Sequence, residues 1–161
     1  MTKTFEPEMT VNEWLSLAQQ WYCNQNINEI CCLEELVKYV PAALYDPHID
    51  EAKSLAIGYW MDACMRIHHH SASLGEVDTA YGFLQFSYSK MQEMASDIRH
   101  ELEVKKWCLQ RMDTLIVVLL EFCQSQCAEY WQKEANTLIE AHVSFMTAQH
   151  HLNLSQEVIS A

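Results

Sequence analysis

Glycine and proline are almost missing from this chain. Pro7, Pro41 and Pro47 are the only prolines, and Gly58, Gly75 and Gly82 the only glycines, so from Gly82 to Ala161 there is neither. These residues are the strongest local breakers. Their scarcity leaves little to interrupt a helix and nearly excludes a glycine-rich loop that could cradle phosphate. Basic charge is scarce too: 10 Lys and Arg against 22 Asp and Glu give a net charge of −12. Without a basic face, direct nucleic-acid binding is not expected, whereas an acidic surface suits solubility or a basic protein partner. Long apolar runs are also lacking. The longest, Leu115–Leu120, has six residues, and a membrane span needs about 20. No basic segment followed by an apolar stretch lies near Met1, so the sequence reads as a cytoplasmic protein without a signal peptide or membrane partner.

What is present is Leu, Met, Glu, Gln, Lys and Ala, interleaved with aromatics at helical spacing. Half of the 161 residues are apolar, enough for one domain with a sizeable core. The expected fold is all-α: a helical bundle of five to six helices, three of them long, with heptad-like 4-3 packing. A loose arm (1–9), a single helical domain (10–152) and a frayed tail (153–161) follow from the pattern. Thr10 and Glu13 form a capping box. It opens a first helix carrying Val11, Trp14, Leu15, Ala18, Trp21 and Tyr22. Asn26 or Asn28 caps a second, with Ile27, Ile30, Leu33, Val37 and Val40 on one face, and Pro41 ends it. Asp46–Pro47 supplies the N-cap and first-turn proline of a third, striped with Ala52, Ala56, Tyr59, Ala63, Ile67 and His70. Ser73 and Glu76 make a second capping box for the fourth.

From Val77 the apolar residues alternate in steps of four and three: Tyr81, Leu84, Tyr88, Met91, Ala95, Ile98 and Leu102. After a slip at Lys105 the series resumes at Leu109, Met112, Ile116, Leu119 and Cys123. This spacing marks bundle or coiled-coil seams. One helix over 77–123 would be about 70 Å long at 1.5 Å per residue. A compact chain of this size has a radius of gyration of about 15 Å, so a break is expected within the charged stretch Ser96–Lys106. The alternative is a protruding helix paired with a second subunit. A last helix from about Ala128 to Leu152 carries Trp131, Ala135, Leu138, His142 and Phe145.

Chemistry-bearing patterns are sparse. His68, His69 and His70 are adjacent, but consecutive helical residues diverge by about 100° and cannot meet at one ion. Their place in a last helical turn suits imidazolium at the dipole's negative end. Cys123 and Cys127 sit at i,i+4, the spacing that places two ligands on one helical face. His68, His70, Cys123 and Cys127 are therefore ligand candidates by type alone. The paired ligand spacing of a structural zinc site is missing, and neither metal nor cofactor is expected. The seven cysteines read as reduced core thiols. Arg99, Lys105, Lys106 and Arg111 form the one basic island, self-neutralised if Arg99–Glu103 and Glu101–Lys105 pair at i,i+4. No nucleophile elbow or dinucleotide fingerprint occurs, so an enzyme is not expected.

Two apolar features exceed what a small bundle needs. Leu115–Leu120 is apolar on every side of its helix. Phe83 and Phe86 face away from the Tyr81/Leu84/Tyr88 stripe, which leaves a second apolar face. The resulting expectation is a non-enzymatic protein–protein interaction module: a regulator, adaptor or chaperone. It would form a homodimer through its long helices and receive another protein's apolar helix. Phe83, Phe86, Leu115, Val118 and Leu119 are its candidate surface. The alternative is a small-molecule sensor or metal-binding bundle with a pocket lined by Tyr59, Trp60, Tyr81 and Tyr88.

Overall fold

The structure, a computed structural model, describes residues 8–24 and 30–159. It is all-α. Six α-helices and one 3-10 turn account for the regular structure, and no strand occurs among the described residues. The helices are α1 (Val11–Asn24), α2 (Ile30–Lys38), α3 (Glu51–Ser73), α4 (Val77–Ser96), α5 (Leu102–Gln124) and α6 (Glu129–Ile159). The chain gathers into two compact units that divide at Ile67/His68, within α3. Residues 1–7 of the expected arm, and the expected cap at Asn26 or Asn28 with Ile27, lie outside the described residues. Among the described residues, no helix is long and apolar enough to cross a membrane.

In the first unit the Thr10–Glu13 capping box is reciprocal. Glu13 N–H donates to Thr10 Oγ1 at 3.2 Å, and Thr10 N–H donates to Glu13 Oε2 at 2.7 Å. With only 9 residues, α2 is shorter than the roughly 12–15 at which isolated helices become marginal, so packing must hold it. Two buried indoles supply that support. Trp14 Nε1–H donates to Leu36 O at 2.9 Å and Trp60 Nε1–H to Val37 O at 3.2 Å. Both carbonyls belong to the last turn of α2, where no partner within the helix is available.

α3 starts later than Asp46–Pro47 predicts. His48 has φ 65°, which holds the Pro47 segment out of the helix. Asp50 is the cap, its Oδ1 accepting from Lys53 N–H at 2.8 Å. The buried stripe of α3 runs through Ala56, Trp60, Ala63, Ile67 and Ser71; Ala56, Ala63 and Ile67 are where the spacing put them, while Trp60 and Ser71 are buried in place of Tyr59 and His70, which flank them half-buried. Its C-terminus is a Schellman motif: Glu76 N–H reaches Ser71 O at 2.9 Å and Gly75 N–H reaches Ala72 O at 3.1 Å. Gly75 takes the left-handed conformation this requires, φ 75°. The expected Ser73–Glu76 box does not form. Ser73 lies inside the last turn with its hydroxyl on His70 O, and Glu76 makes no side-chain cap bond.

The second unit is built on α4, α5 and α6. The expected break falls at residues 97–101, between α4 and α5. Without glycine or proline, Asp97 makes the turn. Its Oδ1 accepts from Arg99 N–H at 2.9 Å, and its carboxylate takes the Arg99 guanidinium at 2.7 Å. That hydrogen bonding pulls the Asp97 carboxyl down to about 2. The turn also corrects the i,i+4 pairing expected of the basic island: Arg99 lies outside any helix and bonds to Asp97. Lys105 is another correction. It occupies the seam position instead of slipping from it, and is only 4% exposed. A four-carbon stem can fill an apolar slot while its ammonium reaches the edge. Around it the expected seam is buried at Tyr81, Leu84, Met91, Ala95, Met112, Ile116, Leu119 and Cys123, whereas Ile98 lies exposed in the turn.

α6 begins at Glu129 and continues to Ile159, beyond the expected end at Leu152. Lys106 Nζ–H donates to Glu157 Oε1 at 2.6 Å, which ties this extension back to the first turns of α5.

Gly58 and Gly82 sit in the interiors of α3 and α4, exposed, and a Cβ added at either meets nothing within 4 Å. Gly58→Ala and Gly82→Ala are each expected to stabilise the fold by about 0.5–1 kcal/mol, because alanine loses less backbone entropy in a helix. The urea midpoint of each variant checks this, and a lowered midpoint would contradict it.

Candidate functional site

The residues predicted for an interaction surface separate on burial. Phe83, Leu115 and Leu119 are buried, Val118 is half-buried, and Phe86 is the most exposed of the five. α4 buries Ala80, Tyr81, Phe83, Leu84 and Ser87 together, an arc wide enough to take up both of its apolar faces. Burial places Phe83, Leu115 and Leu119 out of a partner's reach.

The four predicted pocket residues are divided between the units. Tyr59 packs its ring 5.0 Å from Tyr22, and Trp60 caps α2, both in the first unit. In the second, Tyr81 stacks on Phe122 and meets Trp131 edge-on at 5.0 Å. Its hydroxyl donates to Glu134 Oε1 at 2.6 Å and accepts from Gln85 Nε2–H at 3.0 Å. Burial and the Glu134 carboxylate push the Tyr81 phenol well above its ordinary range.

The metal-ligand candidates do not converge. Among the described residues, no group of three or more His, Cys, Asp or Glu side chains is placed to hold a metal ion. His68 is buried, and its Nδ1–H donates to Ala80 O at 2.8 Å. Burial lowers its pKa, so the imidazolium–dipole reading does not apply to this member of the triplet. His70 is half-buried. Cys123 is buried in α5, but that helix ends at Gln124, so Cys127 lies in the turn and the i,i+4 face does not exist. Burial raises the thiols of Cys64, Cys108 and Cys123, Cys108 to about 12. A nucleophilic cysteine needs the opposite shift.

The feature that composition does not announce lies on α5 and α6. His142 bonds to both neighbouring helices of the second unit. Its Nδ1 accepts from the Tyr88 hydroxyl of α4 at 2.8 Å, and its Nε2–H donates to Asp113 Oδ1 of α5 at 3.1 Å. With Nε2 protonated, every member of this carboxylate–imidazole–phenol chain is satisfied by a neutral ring. Burial and Asp113 raise the Tyr88 phenol to about 12. It is thus a poor nucleophile or base at neutral pH, and the chain acts as a polar clasp across three helices.

The clasp sets the register of α5 against α6. Together with Lys106–Glu157 it shows the two helices antiparallel. Near the clasp in sequence, Val117 of α5 and Ile139 and Val143 of α6 are exposed, at 53%, 44% and 57%. On its other side, α5 and α6 line a cleft of about 490 Å³ with both apolar and polar side chains. The inward stripe of α6 explains both features. It starts with buried Trp131 and Ala135, continues through half-buried Leu138, His142, Phe145 and Met146, and ends on buried Gln149 and Asn153, while Ile139, Val143 and Leu152 face out. In the first unit a smaller groove of about 320 Å³ is lined by Met9, Leu17, Trp21, Glu35, Leu36 and Tyr39.

No family model, curated protein or solved structure matches this chain.

Sequence reasoning recognised His142 as a stripe position but not as a clasp. A histidine in a 4-3 seam, facing a tyrosine and an aspartate on other helices, was the available signal. Reading it required the register between helices, which periodicity does not carry.

Proposed function

We propose that this protein is a non-enzymatic, cytosolic interaction module that forms a homodimer through its long helices and acts as a regulator or adaptor. The carrying observation is the exposure of three β-branched side chains on the paired helices: Ile139 and Val143, which share a face of α6 at i,i+4, and Val117 of α5. Exposed β-branched apolar side chains on a helix face are the kind a helical partner covers. A second copy of the chain fits the patch because a two-fold axis makes the same surface self-complementary. The raised thiols and phenols support a non-enzymatic role. The charge of −12 favours a basic protein as any further partner.

Val143→Glu tests this. The side chain is exposed, so helicity and melting temperature are expected to stay close to wild type, while sedimentation velocity shifts from dimer to monomer. A variant that sediments as the wild type does would overturn the proposed surface.

A further inference from the structure

A groove of about 320 Å³ lies between α1 and α2, wholly within the first unit. Its lining falls into helical i,i+4 pairs. Leu17 and Trp21 form one on α1, Cys32 with Leu36 and Glu35 with Tyr39 form two on α2, and Met9 lies just ahead of α1. Pairs at this spacing make the ridges between which a further helix seats its own side chains. The walls are open: Met9, Leu17 and Tyr39 are 37%, 43% and 73% exposed. A small-molecule site encloses most of its ligand, so an open apolar furrow suits a helix laid along it instead.

Charge narrows the occupant. The basic side chains among the described residues of this unit are Lys38, Lys53 and Arg66, and each is engaged. Lys38 pairs with Glu34 at 3.8 Å and Arg66 with Asp62 at 2.7 Å. Lys53 donates to the Asp46 and Pro47 carbonyl oxygens at 3.4 and 3.3 Å. Glu35 is the one charged residue of the groove lining, and its carboxylate makes no hydrogen bond or ion pair with a described residue. An uncancelled carboxylate beside apolar ridges favours a basic side chain on the occupant. A second copy of this chain is disfavoured, because two-fold pairing of this surface brings Glu35 from both copies to one interface and no free cation for either.

We infer that this groove receives an amphipathic helix of a partner protein, with large apolar side chains at i and i+4 between the ridges and a lysine or arginine against Glu35. The inference stands apart from self-association, since Val117, Ile139 and Val143 do not line the groove.

Fluorescence anisotropy of labelled peptides against the full chain tests it. The probe is an alanine–glutamine helix of about 16 residues, long enough to be helical alone, with leucine at i, i+4 and i+7 and one lysine beside them. Matched peptides replace the leucines by alanine or the lysine by glutamate. Saturable binding is expected for the probe, binding weaker by about tenfold for the glutamate peptide, and none for the alanine peptide. Leu17→Glu adds a second carboxylate to the groove. Charge attraction alone would then tighten the probe, whereas docking between the ridges requires a loss of at least about tenfold. Tyr39→Ala, at a side chain too exposed to hold the fold, should weaken the probe and leave the melting temperature close to wild type. The proposal is overturned if the probe does not bind saturably, if the alanine peptide binds as well, or if neither variant weakens the probe. A Leu17→Glu protein that sediments differently from the wild type would place a second copy in the groove and overturn it too.

Discussion

Trp60→Ala is expected to destabilise the protein by about 3–5 kcal/mol, as is usual for truncating a buried tryptophan. Two losses combine. Trp60 is completely buried, with Tyr45 edge-on at 5.5 Å, so truncation opens a large cavity in the first unit. Its indole also answers a specific backbone deficit. In a continuing helix, Val37 O would accept from the residue four positions on. That residue is Pro41, which has no N–H. Trp60 Nε1–H takes the vacant role. Trp60→Phe keeps most of the volume but leaves the carbonyl unpaired, at a cost of about 1–3 kcal/mol. Trp14 performs the same service for Leu36 O from α1. Urea unfolding of Trp60→Ala and Trp60→Phe separates the two contributions. Equal midpoints would show that the hydrogen bond carries the whole effect, and a wild-type midpoint for Trp60→Ala would contradict the packing described.

The second large effect is expected at Leu119. Its side chain is completely buried in the second unit beside Met112, Ile116 and Cys123 of the same seam. Leu119→Ala should cost about 2–5 kcal/mol, the range for leucine truncation in a close-packed core. Val143→Ala, on the exposed face of α6, should change stability by no more than about 0.5 kcal/mol. The contrast matters because sequence periodicity placed Leu119 on an interaction surface. A Leu119→Ala variant that keeps its stability but loses self-association would restore that reading.

Much of the fold was legible in the chain, and the reasons are local. The Thr10–Glu13 box is visible because both partners lie within four residues of sequence. The break at 97–101 was legible from length: one helix over 77–123 cannot fit a compact chain, and the charged stretch is the cheapest place to bend. The 4-3 series located most of the core because period alone decides which helical face is apolar.

What stayed hidden depends on residues that meet only in space. Phe83 and Phe86 differ in burial although both lie off the Tyr81 stripe, because the width of a buried arc depends on how neighbouring helices surround it. Asp46–Pro47 resembles a helix start as closely as Asp50 does. The left-handed backbone of His48 decides between them, and nothing in its side chain signals that conformation. Ser73–Glu76 matches a capping box in spacing, but Gly75 ends the preceding helix between them. Cys123 and Cys127 keep i,i+4 spacing without sharing a helix. The clasp and the cleft share one cause. Past Ala135 the inward face of α6 carries His142, Gln149 and Asn153 among half-buried Leu138, Phe145 and Met146, and apolar periodicity does not say what those polar side chains meet on other helices.

The central claim is that the outward face of α5 and α6 joins two copies of the chain. Native mass spectrometry of the untagged wild type, over a micromolar concentration series, measures it most directly. A dimer is expected, with Val143→Glu appearing as monomer under the same conditions. A wild type that stays monomeric throughout the series would contradict the account.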